Sequence, residues 1–138
     1  MKKILCTLLI VVIAVPCFSL KTVAYGIMPF DLYTSSCSST LTISGTTATC
    51  TSDATGYLGE TTKIVIDQIL EQKGSGDTWS YVNSWSKTGI GHKGSATNYE
   101  YSLSKGKTYR LKTTFTVYCG TKYETIEKIS SEKKVWND

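Results

Sequence analysis

Tyr109-Arg110-Leu111-Lys112-Thr113-Thr114-Phe115-Thr116-Val117-Tyr118-Cys119 is the stretch that decides the fold. Its side chains alternate with period two. Tyr109, Leu111, Thr113, Phe115, Val117 and Cys119 point one way, while Arg110, Lys112, Thr114, Thr116 and Tyr118 point the other. Strict alternation of this length belongs to a strand with one face in a core and one in water, not to a helix. A chain holding such a strand needs other strands around it to pair and cover it.

The neighbouring sequence supplies them. Upstream, Leu103, Gly106 and Tyr109 form Leu-x-x-Gly-x-x-Tyr. A tyrosine there, at the start of a sixth strand, predicts a tyrosine corner whose hydroxyl bonds the backbone upstream. Downstream, Gly120-Thr121 turns the chain into a strand over residues 122–130. Toward the N-terminus, Leu41-Thr42-Ile43 and Thr47-Ala48-Thr49-Cys50-Thr51 flank Gly45. Matching their apolar faces sets Ile43 opposite Ala48 and Leu41 opposite Cys50. Residues 62–73 carry both a helical spacing (Ile66, Ile69, Leu70, Lys73, then Gly74) and a β-branched run, Ile64-Val65-Ile66. The β-branched run favours a central strand.

Trp79-Ser80-Tyr81-Val82 follows the turn at Gly74-Ser75-Gly76-Asp77. The stretch 86–97, with Gly89, Gly91 and Gly94, reads as an irregular loop, and Tyr99, Tyr101 and Leu103 as one face of the next strand. From Thr34 on there are fifteen serines and nineteen threonines, the latter suited to the wet face of a sheet. Strands near 38–43, 46–52, 62–72, 79–86, 98–103, 108–118 and 122–130 predict an all-β fold. The form expected is an antiparallel sandwich of about seven strands, immunoglobulin- or fibronectin-III-like.

The whole chain has 138 residues, a formal charge of +4, 41% hydrophobic residues, two prolines and five cysteines. That excludes a disordered or proline-rich chain and leaves room for one domain. Met1-Lys2-Lys3 followed by the apolar run of residues 4–15 reads as a signal peptide. The run falls short of the roughly 20 residues that span a bilayer. Pro16 breaks it, and Thr22-Val23-Ala24 offers cleavage after Ala24. Cys17 stands behind Pro16, a poor context for lipid attachment. The expected layout is a signal peptide at 1–24, a flexible segment at 25–36, the sandwich at 37–131 and a charged tail at 132–138. The protein is expected to be secreted, with no membrane insertion once the leader is cut.

Removing the leader takes Lys2, Lys3 and Lys21 with it, so the charge falls to near neutrality. The strip of Lys105, Lys107, Arg110 and Lys112 is then a solvated face, and no nucleic-acid partner is expected. Cys6 and Cys17 also leave, and Cys37, Cys50 and Cys119 remain. In an oxidising compartment two of these are expected to pair. Cys50–Cys119 is favoured over Cys37–Cys50, and the third thiol offers a route to a disulfide-linked dimer.

Chemistry beyond this is sparse. His92 is the single histidine, so triads, Cys–His dyads and zinc motifs lack their parts, and no metal or cofactor is expected. Asp67 and Glu71 lie about 13 Å apart along a strand, beyond the spacing of a glycosidase pair. Glu124 and Glu127 fall on opposite strand faces, and the Gly89–Gly94 stretch lacks the strand-to-helix setting of a phosphate loop. No enzyme is expected. The strongest binding candidate is the row Trp79, Tyr81, Asn83 and Trp85, whose three rings would form a platform for sugars or a partner if exposed.

Ser39-Thr40-Leu41-Thr42-Ile43, Ala48-Thr49-Cys50, Thr55-Gly56-Tyr57 and Thr61-Thr62-Lys63-Ile64 carry a wider pattern. It continues through Trp79-Ser80-Tyr81-Val82-Asn83-Ser84-Trp85-Ser86 and Gly106-Lys107-Thr108-Tyr109-Arg110-Leu111. In these stretches, spread from about residue 39 to 130, the chain resembles small secreted proteins of Gram-positive bacteria that carry an uncharacterised domain. The resemblance implies secretion and a strand over residues 62–73, and it implies no catalytic residues. The expected function is a secreted, non-enzymatic module that binds a protein or cell-surface partner. The alternative is a carbohydrate-binding module using Trp79, Tyr81 and Trp85 on a cell-surface glycan.

Overall fold

Alternation of buried and more exposed residues at period two, clearest over Thr47–Gly56, Lys63–Lys73 and Thr108–Cys119, marks the strands. A computed structural model describes residues 32–137. The strands are β1 (Thr34–Ser44), β2 (Thr47–Gly56), β3 (Lys63–Lys73), β4 (Trp79–Ile90), β5 (Lys93–Glu100), β6 (Thr108–Cys119), β7 (Lys122–Ile129) and the short β8 (Lys133–Lys134). They form two antiparallel sheets, β1-β2-β5 and β4-β3-β6-β7, with β8 beside the start of β6. The sandwich is therefore immunoglobulin/fibronectin-III-like. Its fourth strand lies beside the third, not beside the fifth as in constant-type immunoglobulin domains. The expected leader and its cleavage site at Ala24 lie outside the described residues.

β6 holds the centre. Tyr109, Leu111, Thr113, Phe115 and Val117 are all buried on its inner face. Residues 62–73 form the central strand β3, whose Ile64, Ile66, Gln68 and Leu70 face the same interior. Opposite them β2 supplies the small residues Ala48, Cys50, Ser52 and Ala54. The first hairpin takes the expected register, Ile43 against Ala48 and Leu41 against Cys50.

The apolar core is divided. One cluster gathers Leu41, Ala48, Cys50, Leu70, Leu103, Tyr109, Leu111 and Val135. The other gathers Ala54, Ile64, Ile66, Ala96, Phe115 and Val117. Between them runs a belt of hydrogen-bonded side chains. Asn98 Nδ2 donates to Gln68 Oε1 (2.7 Å), and Gln68 Nε2 donates to Ser52 Oγ (2.7 Å). The Thr113 hydroxyl links to Ser52 and Ser39 at 2.8 Å each. Among the described residues no buried side-chain nitrogen or oxygen lacks a partner, which keeps the belt tolerable inside a core.

The tyrosine corner is present. The Tyr109 hydroxyl accepts from the Ser104 N–H (2.9 Å) and donates to Gln72 Oε1 (3.0 Å). The second bond ties the corner to β3.

Several expectations are revised. β1 begins at Thr34, within the segment read as flexible, because Glu124 of β7 anchors it. That carboxylate accepts from the Leu32 and Tyr33 N–H groups and from the Thr34 hydroxyl. The stretch read as an irregular loop is the end of β4, a bend at Gly91-His92, and β5. Gly91 makes the bend at φ 87°, whereas Gly94 serves close packing: a Cβ there would sit 3.3 Å from Ile64 and Ile66. Tyr99, Tyr101 and Leu103 do not share a strand face. Tyr99 and Tyr101 are exposed, whereas Ser102 at φ 61° turns the chain and swings Leu103 into the core. The segment read as a charged tail docks as well. β8 pairs with β6, and buried Val135 exchanges backbone hydrogen bonds with Gly106 and Lys107.

The disulfide expectation is also revised, since none forms among the described residues. β2 and β6 run in the same direction across the sandwich, so Cys50 packs with Leu111. Cys119 lies eight positions farther along β6, roughly 26 Å away at about 3.3 Å per residue. Cys37 faces Ala54, four positions along β2 from Cys50, or roughly 13 Å. Both separations exceed the roughly 7 Å between Cα atoms that a bridge tolerates. Burial, with the Glu100 carboxylate adding to it, pushes the Cys50 thiol up to about 12, so it behaves as a small apolar side chain.

Candidate functional site

β4 was expected to present Trp79, Tyr81, Asn83 and Trp85 on one face, and a β-bulge separates them. Leu70 pairs with Asn83 but Glu71 pairs with Tyr81, so Val82 is an extra residue. Below the bulge Trp79 and Tyr81 face outward with Lys73 and Glu71; above it Asn83 and Trp85 turn inward with Leu70 and Gln68. Trp85 and Val82 pack against the first core cluster. The three rings thus do not share a surface.

Trp79 and Tyr81 remain as an outward pair with polar company. Arg110 on β6 donates from Nε to Glu71 Oε2 (2.6 Å) and lies 4.1 Å from the centroid of the Trp79 ring. Tyr81 is 66% exposed. The Arg110 contact occupies one face of the indole.

A different surface lies at one end of the sandwich, where the β2–β3 loop, the β4–β5 bend and the β6–β7 turn converge on Thr62. The Thr62 N–H donates to the Tyr118 carbonyl (2.8 Å), and its carbonyl accepts from the Gly91 N–H (2.8 Å). Its hydroxyl accepts from the Gly120 N–H (3.1 Å). Gly56 N–H donates to the His92 carbonyl, and Thr61 N–H to the Tyr57 carbonyl. The β2–β3 loop is therefore bonded through its backbone to the β4–β5 bend and to the end of β6, and through the Thr62 hydroxyl to the β6–β7 turn. This is unlike freely moving loop tips.

On this braced frame stand large apolar side chains in water. Leu58 is 81% exposed, Ile90 83%, Tyr123 63% and Leu32 61%. Ile90, Lys63, Tyr118 and Tyr123 form one row across β4, β3, β6 and β7. Lys63 Nζ lies 4.0 Å from the Tyr118 ring centroid, and the Tyr118 and Tyr123 rings are 5.5 Å apart. Sequence reasoning passed over these residues because each stands alone among glycines and polar residues. The available signal was Tyr57-Leu58 between Gly56 and Gly59.

Other candidates assemble nothing. His92 sits at the bend, with its backbone in use. Among the described residues no three His, Cys, Asp or Glu side chains are grouped as metal ligands. A shallow depression of about 320 Å³ over Asp53, Ala54, Thr55, Lys93, Gly94 and Ser95 is open to solvent. No protein-family model, curated protein or solved structure matches this chain.

Proposed function

We propose that this protein is a secreted, non-enzymatic sandwich module that docks a protein partner through the loop end built around Thr62. The observation that carries the reading is that Leu32, Leu58, Ile90 and Tyr123, all more than 60% exposed, stand at the strand ends and loop of one end of the sandwich, where the connections hydrogen-bond to one another. Exposed apolar groups held rigidly lose little entropy on binding, so burying them is favourable by about 2 kcal/mol each. Lys63, held against Tyr118, supplies a cation at the border of the patch. The apolar leader and the resemblance to small secreted Gram-positive proteins support export.

The test uses labelled protein applied to intact cells and to proteins released from them, compared with a Leu58→Ser/Ile90→Ser variant. The variant should keep the thermal midpoint and lose binding by about a hundredfold. Equal binding by both proteins would overturn the reading. The carbohydrate alternative rests on Trp79 and Tyr81 beside the Arg110–Glu71 pair. A glycan array on which binding is lost with Tyr81→Ala, but not with Leu58→Ser/Ile90→Ser, would favour it.

A further inference from the structure

We infer that β1 is an edge through which two copies of this chain join their three-stranded sheets into one. Among the described residues the sheet edges are β1 and β5 in one sheet, and β4, β7 and the two-lysine β8 in the other. Exposed edges invite pairing, and charged side chains turned toward the inner face are one device against it. β4 carries Lys87, opposite Ile66, and also the bulge at Val82. β5 carries Glu100, opposite Ala48. β7 carries Glu124, opposite Val117. Ile66, Ala48 and Val117 are buried, so Lys87, Glu100 and Glu124 all stand on the inward side of their edges.

β1 has no such guard. Its sequence, TSSCSSTLTIS, contains no charge and no proline over 11 residues. From Ser36 to Ser44 it keeps an unbroken register with β2. Alternate residues of an antiparallel strand turn their N–H and C=O groups away from the partner, so β1 offers a row of backbone donors and acceptors on its far side.

The occupant that fits is a second β1. Two identical strands related by a two-fold axis pair antiparallel, and a register centred on one residue keeps inward positions against inward ones. Centred on Thr40, the pair sets Leu41 against Ser39 and Cys37 against Ile43 of the second copy. Thr42 then meets Ser38 on the outer face, and Thr40 meets itself. Hydroxyl-bearing pairs of this kind are favourable across strands, and no like charges oppose. The contact lies apart from the loop end and does not depend on it.

Association is measured by sedimentation of protein expressed as the full chain, in reducing buffer so that no thiol bridge contributes. The wild type should be a concentration-dependent dimer. Thr40→Lys and Thr40→Glu each place like charges at the two-fold axis and should each weaken association about tenfold or more. Mixed in equal amounts, they should form a heterodimer of near wild-type affinity, a rescue that a folding defect does not produce. Thr88→Lys, on the outer side of β4, should leave the dimer unchanged. A monomeric wild type, or a dimer that tolerates both Thr40 variants, would overturn the inference.

Discussion

Removing a single oxygen at Tyr109 tests how the start of β6 is locked to β3 and to the loop that leads in from β5. The ring is 1% exposed and stays packed among Leu103, Leu111 and Val135 in Tyr109→Phe, so no cavity opens. The hydroxyl makes two bonds, at 2.9 Å to the Ser104 N–H and 3.0 Å to Gln72 Oε1. Each is worth about 1 kcal/mol net, and Ser104 lies at the surface where water can replace the lost acceptor. The expected loss is therefore about 2 kcal/mol, near the middle of the range for two neutral bonds. For a domain of this size that lowers the thermal midpoint by about 8 °C or more. Urea unfolding of the wild type, Tyr109→Phe, Gln72→Met and the double variant apportions the effect. The two substitutions should couple by about 1 kcal/mol, because they share one bond. A loss below about 0.3 kcal/mol, or strict additivity of the two, would refute this account of the corner.

Three further outcomes follow from the same structure. Gln68→Met keeps the volume of the side chain but removes the two 2.7 Å bonds of the polar belt. Unfolding midpoints should show about 2 kcal/mol of destabilisation; an equally stable variant would mean the belt contributes only specificity. The native Cys50 thiol, at about 12 against an ordinary 9.0, keeps its proton where the unfolded chain gives it up. Its contribution to stability is complete below about pH 9 and declines between about 9 and 12, by up to about 1.4 kcal/mol per pH unit. The difference in urea midpoint between wild type and Cys50→Ala should therefore change across that window and stay constant below it. A Cβ on Gly56 would run into the Thr61 side chain, whose hydroxyl bonds the Tyr33 carbonyl and the Tyr57 N–H. Gly56→Ala should cost about 1–3 kcal/mol and speed proteolysis at residues 57–59, as read by mass spectrometry; unchanged cleavage would separate this glycine from the loop end.

Local alternation was enough to read the strands that matter most. β6 needs only its own residues to declare two faces, and the β1–β2 register follows from matching Leu41 and Ile43 to Cys50 and Ala48. The corner was equally legible, because Leu103, Gly106 and Tyr109 lie within one short stretch. Reading faltered where a position depends on a distant partner. Gly94 looks like a loop residue until Ile64 and Ile66 are seen pressing on it, and β1 reaches back to Thr34 only because Glu124 receives it.

The sequence by itself thus determined the register of β1 with β2, the strands β3, β6 and β7, the two faces of β6 and the sandwich class, because period-two patterning and turn residues are local properties. The faces of β4 and the course of β5 it did not determine. Which end of β2 meets which end of β6 was decided only in three dimensions, and that alone parts Cys50 from Cys119. The bulge at Val82 is likewise a matter of pairing between β3 and β4: one extra residue reverses every face beyond it, turning Trp85 into the core and leaving Trp79 outside. The loop end owes its existence to the same cause. Leu58, Ile90 and Tyr123 are scattered along the chain and come to the same end of the sandwich because the connections that carry or adjoin them converge there, with Thr62 hydrogen-bonded to Tyr118, Gly91 and Gly120.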